Sequence, residues 1–192
     1  MKILNKKFFE RDAKEVAKDL LGKFLVREID NKKLVCMIVE TEAYYGKEDP
    51  ASRAYLGYPK YVVEMLYGDV GISLIYMVHS NWLLNFVAHE KDKAGAVLIR
   101  AVEPIEGIEL MLKNRKVKNL VELTNGPGKL TKALKIDKSL NGVKVYKKGL
   151  LYVVDSNFDD FEIVESKRIG VKRDLDENLR FYIKGNKFVS KF

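Results

Sequence analysis

The 192 residues carry 35 Lys and Arg against 27 Asp and Glu, a formal net charge of +8, and 47% of them are hydrophobic. That length and apolar content can bury one sizeable core, and with no Pro-, Gly- or Ser-rich linker a single domain over residues 1–192 is expected, its basic balance suiting a polyanionic partner. One cysteine, Cys36, excludes an internal disulfide, His79 and His89 offer no zinc-ligand spacing, and neither a spanning apolar run nor a signal-like N-terminus is visible, so an intracellular chain without metal or membrane is expected.

Asp12 to Gly22 sets Ala13, Val16, Ala17, Leu20 and Leu21 at helical spacing, with Asp12 as cap and Gly22 as terminator. Lys23 to Ile29 and Lys33 to Glu42 flank Asp30-Asn31-Lys32, whose turn chemistry predicts a hairpin. A polar loop is expected from Gly46 to about Gly71. The runs Ile72 to Val78, Trp82 to Ala88 and Ala96 to Ala101, parted by His79-Ser80-Asn81 and by Glu90 to Gly95, predict an antiparallel meander. Pro104 falls near the first turn of a helix predicted over Ile105 to Lys113, with Gly107 inside it. A short helix follows Thr124 to Leu130, a second hairpin is expected from Val143 to Tyr146 and Leu150 to Val154, and strands at Phe161 to Val164 and Leu179 to Ile183 end the sequence of elements.

The densest chemical signal is Val39-Glu40-Thr41-Glu42-Ala43-Tyr44-Tyr45-Gly46. The preceding apolar run, Leu34 to Val39, reads as a strand covered on both faces. Strand alternation, at about 3.3 Å per residue, then puts Glu40, Glu42 and Tyr44 on one face, each about 6.6 Å from the next. Carboxylates at the rim of a packed sheet are partly desolvated, which favours a shifted pKa. On this pattern alone a glutamate is usually a solvated surface group, with odds of catalysis of about one in twenty, and strand aromatics are usually core. A metal-dependent nuclease using Glu40, Glu42, Glu48 and Asp49, or a DNA-binding module without turnover, would also fit grouped acids in a basic chain.

Four blocks narrow the choice. Ile38-Val39-Glu40-Thr41-Glu42-Ala43-Tyr44, Val97-Leu98-Ile99-Arg100-Ala101-Val102-Glu103-Pro104, Asn125-Gly126-Pro127-Gly128-Lys129-Leu130 and Leu179-Arg180-Phe181-Tyr182-Ile183-Lys184-Gly185 together resemble the alkyladenine (3-methyladenine) DNA glycosylase family, in order and spacing, from Phe8 to about Ser190. The resemblance implies an α+β fold, a single mixed domain around a curved antiparallel β-sheet with flanking helices and a protruding β-hairpin. It also implies a monomeric, monofunctional, cofactor-free enzyme, cytoplasmic or nucleoid-associated, that excises damaged purines from double-stranded DNA.

By the same resemblance the water-activating carboxylate falls on Glu42, the arginine at the catalytic water on Arg100, and a main-chain carbonyl holding that water on Ile169. Tyr44 and Tyr76 correspond to the rings that sandwich the everted base, and Asn85 to an asparagine at the pocket floor. Three departures stand out. Arg53 takes the place of a pocket histidine, His79 that of a tyrosine wedge, and the interval from His79 to Asn85 is one residue shorter than is usual in the family. Always protonated, Arg53 can donate hydrogen bonds but hardly act as an acid, which predicts a bias toward cationic lesions. Gly128 and Lys129, at a helix start, are expected to meet phosphate. The reaction requires a carboxylate open to a cavity bordered by both tyrosines.

Overall fold

The computed structural model describes residues 2–190. Helix α1 (Ala13–Asp19) begins where the Asp12 side chain accepts the Lys14 amide, and Gly22, at φ +78°, turns the chain toward the sheet. Strands β1 (Phe24–Ile29) and β2 (Lys32–Tyr45) form the expected hairpin. Asp30 and Asn31 both take positive φ there, the type I′ geometry that matches the twist of the flanking strands.

The stretch after β2 differs from the predicted loop. It holds α2 (Arg53–Leu56), capped by Ser52, and α3 (Lys60–Leu66). Only Ala54, Val62 and Leu66 of these helices turn inward, too few apolar positions to stand out among exposed tyrosines and lysines. The meander then appears as predicted: β3 (Ser73–Val78), β4 (Asn81–Val87) and β5 (Gly95–Glu106).

Strand β5 overruns its expected end, so Pro104 lies in a strand and not at a helix start. It sits at a register shift, where Val35 pairs with Glu106 and Cys36 with Pro104, and a bulge tolerates the missing donor. Helix α4 (Ile108–Arg115) starts only after Gly107, at φ +78°, whose absent Cβ would lie 2.3 Å from the Leu34 side chain. Helix α5 (Pro127–Ala133) has its proline in the first turn.

The expected hairpin at 143–154 is reduced to one bond between its arms, from the Val153 amide to the Val145 carbonyl at 2.9 Å, and each arm pairs mainly elsewhere. Val145 donates its amide to Gly71 and Val143 accepts from Ser73, so this segment binds the start of β3. Strand β6 (Leu151–Val154) instead takes the free edge of β1, and β7 (Ile163–Ser166) pairs with β8 (Arg180–Ile183).

All pairings are antiparallel, in the order β3-β4-β5-β2-β1-β6, and the sheet curls into a half-barrel with helices on its flanks. Phe9, Phe86, Phe181 and Ile99 lie at the centre of the core, closed by α1 and α5. One feature of β2 governs the site. Its first half pairs with β1, its residues Glu40–Glu42 pair with β8, and β5 runs along its other edge from Val35 onward. The sheet therefore forks at the two glutamates.

Candidate active site

At the fork, regular pairing between β2 and β5 breaks. Ile38 faces Val102, Glu40 faces Ala101 and Thr41 faces Ile99, so Val39 is an extra residue in β2 and Arg100 one bulged out of β5. A bulge re-aims its side chain. Here it sends the guanidinium across both acids: Nε donates to Glu40 Oε1 at 2.9 Å, and Nη1 lies 3.2 Å from Glu42 Oε1. Thr41, pointing the other way, donates to the Ala17 carbonyl and ties this segment to α1. Both glutamates are fully buried.

Their surroundings differ. Glu40 also accepts from Arg180 Nε at 2.7 Å and from the Ser190 hydroxyl and amide at 2.8 and 2.7 Å. Glu42 receives the Ile169 amide at 2.7 Å on Oε1 and the Tyr44 hydroxyl at 2.8 Å on Oε2. Burial raises the Glu42 pKa above the ordinary carboxylate value, against the pull of Arg100, the Ile169 amide and the Tyr44 hydroxyl. Burial, with the Glu42 charge beside it, also pushes the Tyr44 phenol well above its usual value, which keeps it a donor.

Ile169 thus touches Glu42 through its N–H, an interaction the family correspondence, framed on a carbonyl, did not anticipate. The neighbouring Arg168 is equally engaged. Its guanidinium lies 4.5 Å from the centre of the Tyr44 ring and binds the Ala43 carbonyl, Asp49 and Asp174.

Beyond Tyr44 lies a cavity lined by Tyr44, Ser52, Arg53, Tyr76, Asn85 and Ala96, among others. It brings together the four residues expected to hold a base. The Asn85 amide is fixed on the Leu74 carbonyl at 3.1 Å, and the Arg53 guanidinium stands 5.2 Å from the Tyr76 ring centre. The open space is about 10 Å³, at the lower limit for a single water and far too small for a purine. Glu42 does not line it. The expected opening between carboxylate and cavity is closed, because Tyr44 caps one carboxylate oxygen while Ile169 and Arg100 take the other.

His79 sits at the exposed tip of the β3–β4 hairpin. The tip is a two-residue turn in which His79 and Ser80 have φ of +45° and +60°, closed by the pair Val78 and Asn81. Gly128 packs against the hairpin beside its turn, since an added Cβ would lie 2.8 Å from Asn81 atoms, and the Lys129 ammonium is bound to the Asn125 side chain at 2.7 Å. Thr131 adds a bond to the Trp82 carbonyl. The glycine-rich start of α5 therefore braces the hairpin.

The grouped acids are spoken for individually: Glu40 and Glu42 by guanidinium groups, Asp49 by Arg168, and Glu48 by the Gly46 amide. Among the described residues no group of three or more His, Cys, Asp or Glu side chains is placed to hold a metal ion. No helix among them is long and apolar enough to cross a membrane. Cys36 is fully buried beside Met111, and burial pushes its thiol pKa up.

This arrangement has a counterpart among known proteins. The methylpurine-DNA glycosylase (MPG) family model matches residues 7–187. A Clostridium perfringens (strain SM101) protein, provisionally named 3-methyladenine DNA glycosylase, is 48% identical over 202 residues covering 98% of each chain. Proteins with the same provisional name from Desulfitobacterium hafniense (strain Y51) and Aeropyrum pernix K1 are 43% and 42% identical, covering 99% of this chain and 99% and 94% of their own. With the match spanning nearly every residue that builds the forked sheet and its paired acids, the chain belongs to the methylpurine-DNA glycosylase family.

Proposed function

We propose that residues 1–192 act as a single, monomeric glycosylase domain that everts a damaged purine from double-stranded DNA and cleaves its N-glycosyl bond with water. Family membership supplies the hydrolase class. The substrates proposed are 3-methyladenine and 7-methylguanine, with hypoxanthine and ethenoadenine as further candidates, and the product is an abasic site. Work on genomic DNA suits an intracellular enzyme, cytoplasmic or nucleoid-associated.

The observation that carries the reading is the Glu42 carboxylate, buried, raised in pKa and held by Arg100, next to a cleft walled by Tyr44 and Tyr76. A base inside a duplex is out of reach, and rotating it out takes about a few kcal/mol, least for damaged or mispaired bases. Stacking on the two tyrosines returns roughly 1–3 kcal/mol per base contact. Entry requires Arg53 to leave the ring of Tyr76 and the Tyr44 hydroxyl to release Glu42, so that a water can stand between that carboxylate and the sugar. Bond cleavage gives the deoxyribose oxocarbenium character. An ionised Glu42 offsets that charge and takes the proton from the attacking water, with Arg100 orienting both.

Arg53 supports a bias toward cationic lesions. The guanidinium occupies the face of Tyr76 as a planar cation, and an N3- or N7-alkylated purine replaces one cation–π contact with another. A neutral purine surrenders that contact, worth about 0.5–2 kcal/mol. Arg53→His should therefore raise hypoxanthine release relative to 3-methyladenine release by about 2- to 30-fold. Equal rates in the parent and an unchanged ratio in the variant would remove the bias.

His79 is proposed to enter the minor groove and fill the space left by the everted nucleotide. Unchanged duplex binding and excision in His79→Gly would remove that role. Gly128 and Lys129 are proposed to serve the DNA surface, Gly128 through the hairpin it braces and Lys129 through its charge. Duplex affinity should fall steeply with added salt.

The deciding experiment is base release from duplexes containing 3-methyladenine, hypoxanthine or ethenoadenine, with Glu42→Gln as control. Abasic DNA formed in the presence of EDTA, without strand breaks, is expected. A strand break that requires metal, or tight binding of damaged duplex without base release, would overturn the proposal.

A further inference from the structure

Arg168 is almost fully buried, yet it belongs to the loop between β7 and β8. That loop is closed on itself: the Lys167 ammonium binds the Leu175 and Asp176 carbonyls at 3.0 and 2.6 Å, and Arg168 Nε binds Asp174 at 2.9 Å. From this base the guanidinium reaches three elements of the site. Its two terminal nitrogens grip both oxygens of Asp49 at 2.7 Å, one of them also binds the Ala43 carbonyl at 2.9 Å, and its plane covers Tyr44. Asp49 in turn accepts the Tyr45 and Ala51 amides, which fixes the turn that delivers Arg53. Arg168 does not line the cavity, while Tyr44 does. The guanidinium thus backs the ring from outside and leaves its cavity side to a base.

We propose that Arg168 is the positioning residue of this site, setting the Tyr44 plate and, through the adjoining Ile169 amide, the charge on Glu42 with one side chain. The proposal rests on the glycosylase reading. A buried fork that satisfies a bidentate carboxylate, a carbonyl and an aromatic face at once has one geometry, and lysine, a point charge, cannot reproduce it. Because residues 168 and 169 share a peptide plane, a shift of the fork moves the Ile169 N–H off Glu42. The other charged or titratable groups facing Glu42 are Arg100 from β5 and Glu40 and Tyr44 from its own strand, with Tyr76 from β3 nearby and Arg180 from β8 acting through Glu40. Of these groups Tyr44 lies directly against the fork, so loss of the fork should be read at Glu42 chiefly as loss of one hydrogen bond to its ionised form.

The test uses the full chain, a duplex with one 3-methyladenine, and single-turnover release measured across pH. Arg168→Lys should lower the rate about 10²-fold, the scale of a misplaced catalytic group, and move the acidic limb of the profile to higher pH. Asp174→Asn, at the partly exposed end of the network, should move that limb the same way by less, and it decides the matter if Arg168→Lys does not fold. A purely structural role would lower the folded fraction and leave the limb in place. Variants that keep the parent's limb, whatever their rate, would overturn the proposal. If the parent itself releases no base, the glycosylase reading fails instead.

Discussion

Glu40 and Glu42 leave the same strand on the same face, share Arg100, and are equally closed to solvent. Their partners nevertheless differ in number and charge. Glu40 is ringed by Arg100, Arg180, the Ser190 hydroxyl and the Ser190 amide, so its charge ties together β2, β5, β8 and the chain beyond β8. Glu42 has one guanidinium, one amide and one phenol, and burial outweighs them enough to raise its pKa. A carboxylate whose charge is fully matched is a structural clamp. One whose charge is incompletely matched has basicity to spare, which is what proton abstraction from water requires.

Exchanging each acid for its amide separates the two roles. The largest effect belongs to Glu42→Gln, which should lower base release by about 10²–10⁴-fold, the usual worth of a general base, with duplex binding retained. Quantified abasic product over time checks it, and a loss under tenfold would break the comparison. Next comes Glu40→Gln. Removing one charge from a buried ion pair typically destabilises by about 3–5 kcal/mol, because Arg100 and Arg180 then lack full compensation. A Tm fall on the order of 10 °C is expected, at about 2–4 °C per kcal/mol in a domain of this size. The fraction that stays folded should still release base far faster than Glu42→Gln. Equal losses of activity in the two variants would show that the acids act as one unit.

Much of this contrast was legible in the residues, and the part that was not has a definable cause. Strand alternation predicted that Glu40, Glu42 and Tyr44 share a face, and their convergence on Arg100 and on one another is consistent with that. The turns at Asp30-Asn31 and His79-Ser80 were marked by their own chemistry. The bulge at Arg100 was not, because register arises from pairing between strands, and no residue type there announces an extra position. Arg180 and Ser190 escaped for the same reason: they meet Glu40 only once β8 has replaced β1 along β2. The helices α2 and α3 were lost in a polar stretch where only a few positions face inward. The Pro104 error shows a local rule overridden, since a proline suited to a helix start was accommodated at a bulge.

The subtlest consequence of the comparison concerns stability and pH. A carboxyl group whose folded pKa is raised contributes stability that is present below its unfolded pKa and is lost as pH rises through the folded value. Above its folded value the ionised Glu42 therefore weakens the fold, despite the attraction of Arg100. Glu42→Gln removes that burden, and the Tyr44 hydroxyl can rotate to accept from the new amide while Ile169 still donates to its oxygen. The variant should melt above the parent once pH exceeds the folded Glu42 value, by about 2–4 °C for each kcal/mol relieved, and the difference should vanish below the ordinary glutamate range, where both side chains are neutral. Base release needs the ionised form, so the acidic limb of kcat/KM, which reports the free enzyme, should lie above that ordinary range. Both curves titrate one carboxyl in the same unliganded protein. The melting difference should therefore level off at the pH where the acidic limb has its midpoint, and a parent that melts above Glu42→Gln beyond that pH would mean that the Glu42 charge is matched as fully as that of Glu40.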